Sequence, residues 1–233
     1  MNKRRSNKSK RLKALAYSKI GLYKLFWVFI IACVVGYAVE TAVVYIKYGY
    51  IESRQGLLYG PFNQVYGFGA VLMVVFLHKA SLKHSLWIFF ASALIGGGFE
   101  AISSVIQQSL FGSVSWDYSA QRFSILGGRT SLVVMFYWGI LGVAFMKGIY
   151  PYLMRLVDWI PRKPGHILSY MLAVFFVFNI SISAAAVHRW SERVDHISPE
   201  NIVDVYLDKH YPDALLLTVY PNMTFDKQSG AKK

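Results

Sequence analysis

Long apolar runs broken by short polar stretches set the pattern of this chain. Runs at about 24–47, 62–79, 85–108, 130–150 and 167–188 are of the length that crosses a bilayer as helix, roughly 20 residues each. The pattern predicts an all-α membrane protein of about five transmembrane helices. The second run is the least regular, with Gly67 and Gly69 in VYGFGAVLMVVFLHK, a composition that suits close helix packing.

Two of the runs carry an acid. Glu40 lies in LFWVFIIACVVGYAVETAVVYI and Glu100 in SLWIFFASALIGGGFEAISSVI, each four residues after a glycine, Gly36 and Gly96. A carboxylate at membrane depth costs about 3 kcal/mol on insertion scales unless it meets a partner or a wet cavity. The two acids are sixty residues apart, and each stands about fifteen residues into its helix. That is about 22 Å from the starting edge at 1.5 Å per residue. A polar loop with an arginine follows each, Arg54 and Arg129, and a glycine comes thirteen residues later, Gly67 and Gly142. The spacing predicts a tandem two-helix repeat over 24–79 and 85–150, followed by a single helix at 167–188. Membrane transporters often place a site at such a repeat interface.

Charge sets the expected orientation. Nine Lys/Arg fall in residues 1–24, and Lys79, Lys83, Lys147, Arg155, Arg162 and Lys163 fall in the loops of the same side. The opposite loops hold Lys47, Arg54, Arg122 and Arg129. The positive-inside rule then puts residues 1–23 in the cytoplasm as a basic arm and, after five spans, the C-terminus outside. The net charge of +13 is thus read as membrane retention and headgroup attraction, with no nucleic-acid partner expected. A content of 55% hydrophobic residues and a mean hydropathy of +0.37 exceed what soluble domains show.

Residues 189–233 change character. They hold seven of the twelve acids and no membrane-length run, which predicts a small soluble extracytoplasmic tail. Ser198-Pro199-Glu200 reads as a helix start. Ile202, Val203, Tyr206 and Leu207 would share one face, and 215–220 reads as a short strand or docking segment.

Several motifs resemble the CmpB-type family of ABC-transporter permeases. They are Gly56-Leu57-Leu58-Tyr59-Gly60-Pro61 followed by Tyr66-Gly67-Phe68-Gly69-Ala70, then Trp116-Asp117-Tyr118-Ser119 leading through Phe123 to Gly128-Arg129. In the tail they are Leu207-Asp208-Lys209-His210-Tyr211-Pro212-Asp213 and Tyr220-Pro221-Asn222-Met223, so the resemblance covers roughly 22–224. It implies a bacterial membrane protein of transporter type. Two departures stand out. Arg54-Gln55-Gly56 replaces the family's Asn-Arg-Gly, displacing the arginine by one position. Ser124 stands where the family favours asparagine, in a loop one residue longer.

The candidate polar site comprises Glu40, Glu100, Arg54, Arg129, Asp117 and Tyr66. One reading makes the glutamates a substrate, cation or proton site. Another makes them structural, each paired with Arg54 or Arg129, and a third has them snorkel to the interface. Asp117 is expected to cap a turn or to pair with Arg122 or Arg129. The six histidines show no ligand spacing for a metal, and no cofactor motif is present. The chain has no phosphate-cradling Gly-x-x-x-x-Gly-Lys-[Ser/Thr] loop, so an ABC-type role would require a separate ATPase subunit docked at 79–85 or 147–166. A homo-oligomer is compatible with the pattern. The alternatives to a transporter are a membrane-embedded enzyme acting on a lipid or envelope precursor, and a membrane scaffold or sensor.

Overall fold

The computed structural model describes residues 20–79 and 84–225; most of the basic arm lies outside them, as do 80–83 and 226–233. The described residues are 72% helical. Among the described residues four helical stretches are long and apolar enough to cross a membrane: α1 (Leu22–Tyr48), α3 (Ser85–Phe111), the stretch Leu132–Trp159, and α6 (Arg162–Val194). The third of these comprises α4 (Leu132–Ala144), a π-helical turn (Phe145–Ile149) and α5 (Tyr150–Trp159). Helix α2 (Gln64–Leu77) is shorter, at 14 residues or about 21 Å. The apolar run at 62–79 thus yields a short helix rather than a full-length one.

The reason lies in the segment that precedes it. Gly49, at φ 77°, ends α1 in the left-handed conformation, and the chain turns back into the bundle. By Asn63 it has descended beside Cys33, whose carbonyl accepts from the Asn63 N–H at 3.1 Å. Cys33 is fifteen residues before the end of α1, a depth of about 22 Å. Non-helical backbone at membrane depth survives only where protein satisfies its polar groups. Helix α6 does this with two buried polar side chains. Ser183 Oγ accepts from the Leu58 N–H (2.9 Å), and Asn179 accepts from the Tyr59 N–H (3.1 Å) while donating to the Tyr59 carbonyl (2.7 Å). Gln64 donates to the Gly56 carbonyl and Gln55 to that of Leu58. Leu57 and Leu58 are buried in the process.

The most extensive helix pairings are α3 with α4 and α1 with α2. Trp27, Val28, Met73, Ile88, Met146 and Tyr150 belong to the main core, near the arm end of the bundle. Lys24 and Asp158 form an ion pair there at 2.6 Å. Outward-facing positions such as Leu94, Val174 and Val177 are apolar and about 70% exposed, the arrangement a lipid environment requires.

At the opposite, tail end the connection from α3 to α4 carries β1 (Ser113–Val114) and an antiparallel hairpin of β2 (Ser124–Ile125) and β3 (Thr130–Ser131). The tail packs beside it. β4 (Thr224–Phe225) pairs antiparallel with β1. Helix α7 (Ile202–His210) begins later than Ser198-Pro199 suggested, because Asn201 and Asp204 form a reciprocal capping box. Of its expected apolar face only Leu207 is buried. Residues 215–220, expected as a strand or docking segment, fall mostly in α8 (Asp213–Val219), where Leu216 and Val219, one helical turn apart, both face the core. Arg189 of α6, 2% exposed, grips Asp208 through Nε and Nη2 (2.9 and 3.0 Å) and also bonds Glu192 and the Ile197 carbonyl. Arg193 bonds Asp208 and Asp213. The Arg189 guanidinium holds the Asp208 carboxyl below the usual carboxylate range.

Replacing Asn179 by leucine keeps the volume but strands both Tyr59 backbone groups. The expected loss is about 1–3 kcal/mol per stranded group, read as a lower thermal midpoint in detergent. Ser169→Ala, which removes only a bond to the Gly165 carbonyl of its own helix, should leave the midpoint nearly unchanged.

Candidate functional site

Each acid-bearing helix places a glycine one turn before its glutamate, and each glycine receives an aromatic ring from the helix that follows. A Cβ on Gly36 would overlap the Tyr66 ring of α2, and one on Gly96 would overlap the Trp138 indole of α4. Those same rings carry donors toward the acids: the Tyr66 hydroxyl faces Glu40, and the indole N–H of Trp138, its only donor, faces Glu100. The two rings then approach one another, with centroids 6.4 Å apart, and Gly69 leaves room for the far edge of the indole. The carboxyls of the two helix pairs are thus brought to one place with an aromatic pair between them. Their charges act on each other and on both Tyr66 and Tyr118.

Further neutral donors complete each acid's surroundings. Asn63 Nδ2 donates to Glu40 at 2.9 Å and to the Arg54 carbonyl at the same distance, tying the inserted loop to the site. Thr130 Oγ1 donates to Glu100 at 3.4 Å, and the Tyr118 hydroxyl faces the same carboxyl. Glu100 is buried and Glu40 is half-buried. Burial and the nearby carboxylates push the Tyr118 phenol well above its ordinary value, so it stays a donor. Arg54 Nε, beside Glu40, is buried without a hydrogen-bond partner, as are Thr41 Oγ1 and Gln64 Oε1, the latter against Gly56. Such atoms call for water or a ligand.

Neither arginine makes an ion pair with the glutamate it was expected to hold. Arg54 pairs with Glu52 at 2.7 Å and acts on Glu40 only through space. Arg129 bonds Ser104 Oγ at 3.1 Å and Gln108 Oε1. Those residues lie four and eight positions beyond Glu100 on α3, so the guanidinium stands about 6–12 Å closer to the tail end than the carboxyl. Asp117 is exposed and turns onto Ser119, accepting from its N–H (2.8 Å) and hydroxyl (2.9 Å) rather than pairing with Arg122 or Arg129. These bonds hold its carboxyl below the usual range. Tyr66 and the two glutamates, of the six residues expected, therefore form the centre, with Arg54 beside it.

Asn63, Tyr118, Thr130 and Trp138 complete the site and were not expected from sequence. Thr130 and Tyr118 at least flank residues that drew notice. A tryptophan in an apolar helix carries no such signal, since packing accounts for it equally well. Among the described residues no group of three His, Cys, Asp or Glu side chains could hold a metal ion.

The seating geometry has a direct test. Gly36→Ala drives a methyl into Tyr66 and should destabilise by about 1–3 kcal/mol. Gly98→Ala on α3 meets nothing within 4 Å and should be neutral or stabilising by up to about 1 kcal/mol. Thermal midpoints of the two variants in detergent compare them; equal midpoints would refute the seat.

No curated protein matches the chain, and no solved structure does. A family model does match, across residues 27–184, which takes in α2 to α5 and most of α1 and α6, and both glutamates. The family is described as "Putative ABC-transporter type IV", of the CmpB type. With its apolar spanning helices and a match over more than half its length, this multi-pass membrane protein belongs to the CmpB-type ABC-transporter family.

Proposed function

We propose that this protein is the membrane-embedded permease subunit of a transporter, and that Glu40 and Glu100 form its substrate, cation or proton site. What supports the reading is the approach of two intramembrane carboxyls, one from each helix pair, neither of them in an ion pair and each faced by neutral donors, with Arg54 acting on Glu40 only through space. A purely structural acid in a membrane is best served by a fixed counter-charge. Neutral donors from Tyr66, Asn63, Trp138, Thr130 and Tyr118 instead leave each carboxyl free to gain a proton or to balance an incoming cation. The unpartnered Arg54 Nε gives such a ligand a further contact.

The helix pairs α1–α2 and α3–α4 serve as the two members of a tandem repeat, with the site at their interface. Arg54 and Arg129 stand toward its outer mouth. The site opens toward the tail end, which is extracytoplasmic, in a bacterial inner membrane. A separate ATPase subunit docks at the arm end, where α5 presents Tyr152, Arg155 and Trp159 on its exposed side. The basic residues of 1–24 and of 147–163 support that orientation. Reporter fusions test it: those at residues 55 and 120 should read external and one at 160 cytoplasmic. A fusion at 55 that reads cytoplasmic would reverse the site's direction.

Glutamine at position 40 or 100 keeps the shape and most of the hydrogen bonds but cannot change protonation or balance a cation. Glu40→Gln and Glu100→Gln should each shift stability by no more than about 1 kcal/mol while abolishing uptake or the growth phenotype that depends on it. Activity that falls only in proportion to thermal stability would leave the glutamates as packing elements.

A further inference from the structure

Beyond the carboxyl site, Arg129 has chemistry left over. It makes no ion pair among the described residues, and its two side-chain bonds, to Ser104 and Gln108, are to neutral acceptors. Those bonds use two of the five N–H donors of a guanidinium and fix its plane. Its charge therefore remains uncompensated at the level of the last turns of α3, where a lipid headgroup would lie.

Directly beside it runs an open groove of about 420 Å³, lined by Ala101, Ile102, Val105 and Ile106 of α3, by Leu126, and by Arg129 itself. The lining is apolar except at the arginine. Leu126 has φ 54°, followed by Gly127 and Gly128 at 66° and 86°. A leucine in the left-handed region is strained where glycine or asparagine would not be, and strain of this kind clusters at ligand clamps. The strained turn carries the leucine as one wall of the groove. An apolar channel with a fixed, unpaired guanidinium at one end matches an amphiphile that has an anionic head and a hydrocarbon chain.

We propose that this groove is a specific site for an anionic phospholipid, its phosphate on Arg129 and one acyl chain along α3 beneath Leu126. Arginine suits the head because its fork donates two parallel bonds to phosphate oxygens. The groove begins at Ala101, one residue from Glu100, and Thr130, next to Arg129, bonds that acid. The occupied groove thus abuts the carboxyl site, although the proposal stands whether or not that site transports.

The test is native mass spectrometry of the purified full chain in non-ionic detergent, titrated separately with phosphatidylglycerol, diacylglycerol and inorganic phosphate. The wild type should retain one phosphatidylglycerol, with the other two probes at least about tenfold weaker. Arg129→Gln should weaken retention about tenfold, the size expected for losing a charge-assisted bond. Ile102→Trp, a largely exposed position, should displace the chain by filling the groove while leaving Arg129 in place. Arg122→Gln, in which the lost guanidinium lies over Phe123, should bind as the wild type does. Retention by Ile102→Trp or Arg129→Gln equal to that of the wild type would overturn the proposal. So would inorganic phosphate binding as tightly as the lipid, or no retention by the wild type.

Discussion

A stretch of non-helical backbone inside a membrane bundle must find all its hydrogen bonds in protein, and the rest of this structure is arranged around that demand. Residues 50–63 enter the bundle to the depth of Cys33. Asn179 and Ser183, two buried polar side chains of α6, meet the backbone groups of Leu58 and Tyr59, and Gln55, Asn63, Gln64 and the Cys33 carbonyl meet others. An unmet backbone group at that depth costs several kcal/mol, far more than ordinary packing differences. The inserted loop therefore fixes α6 against the first helix pair. It also starts α2 low in the bundle, which shortens that helix and sets Asn63 and Tyr66 level with Glu40.

The same economy of space governs the acids. Glycine before each glutamate removes the side chain that would hold the next helix away, and an aromatic ring takes its place. The ring then supplies the donor that the acid needs. Close approach and polar satisfaction are thus one device, used once with tyrosine and once with tryptophan. Because the two rings touch, the two devices share a wall, and the carboxyls of separate helix pairs come to one site.

The tail end is held differently, by charge. Arg189 and Arg193 extend from α6 and collect Glu192, Asp208 and Asp213, so the acid-rich tail is bound to the helix that already anchors the inserted loop. The Tyr59 and Tyr211 hydroxyls meet at 2.7 Å, and β4 pairs with β1. Loop, tail and the connection from α3 to α4 are therefore tied to one another at the tail end of the bundle.

The sequence by itself determined the membrane setting, long helices in four of the five apolar runs it was read to contain, the presence of a short acidic tail and the two unusual glutamates. Each follows from local composition: run length for a span, and the cost of a carboxyl in hydrocarbon for a site. Pairing was not legible in that way. Glu40, Arg54, Glu100 and Arg129 suggest two ion pairs when read along the chain. Yet the arginines stand nearer the tail end than the acids, and each bonds what lies at its own depth. Only the tertiary fold decided that Trp138 would meet Glu100, that Asn63 would reach Glu40, and that 62–79 would yield a shortened helix. The physical reason is common to all three: each depends on how far one segment is inserted past another. That depth is set by hydrogen bonds between residues more than twenty positions apart, which leave no period in the sequence.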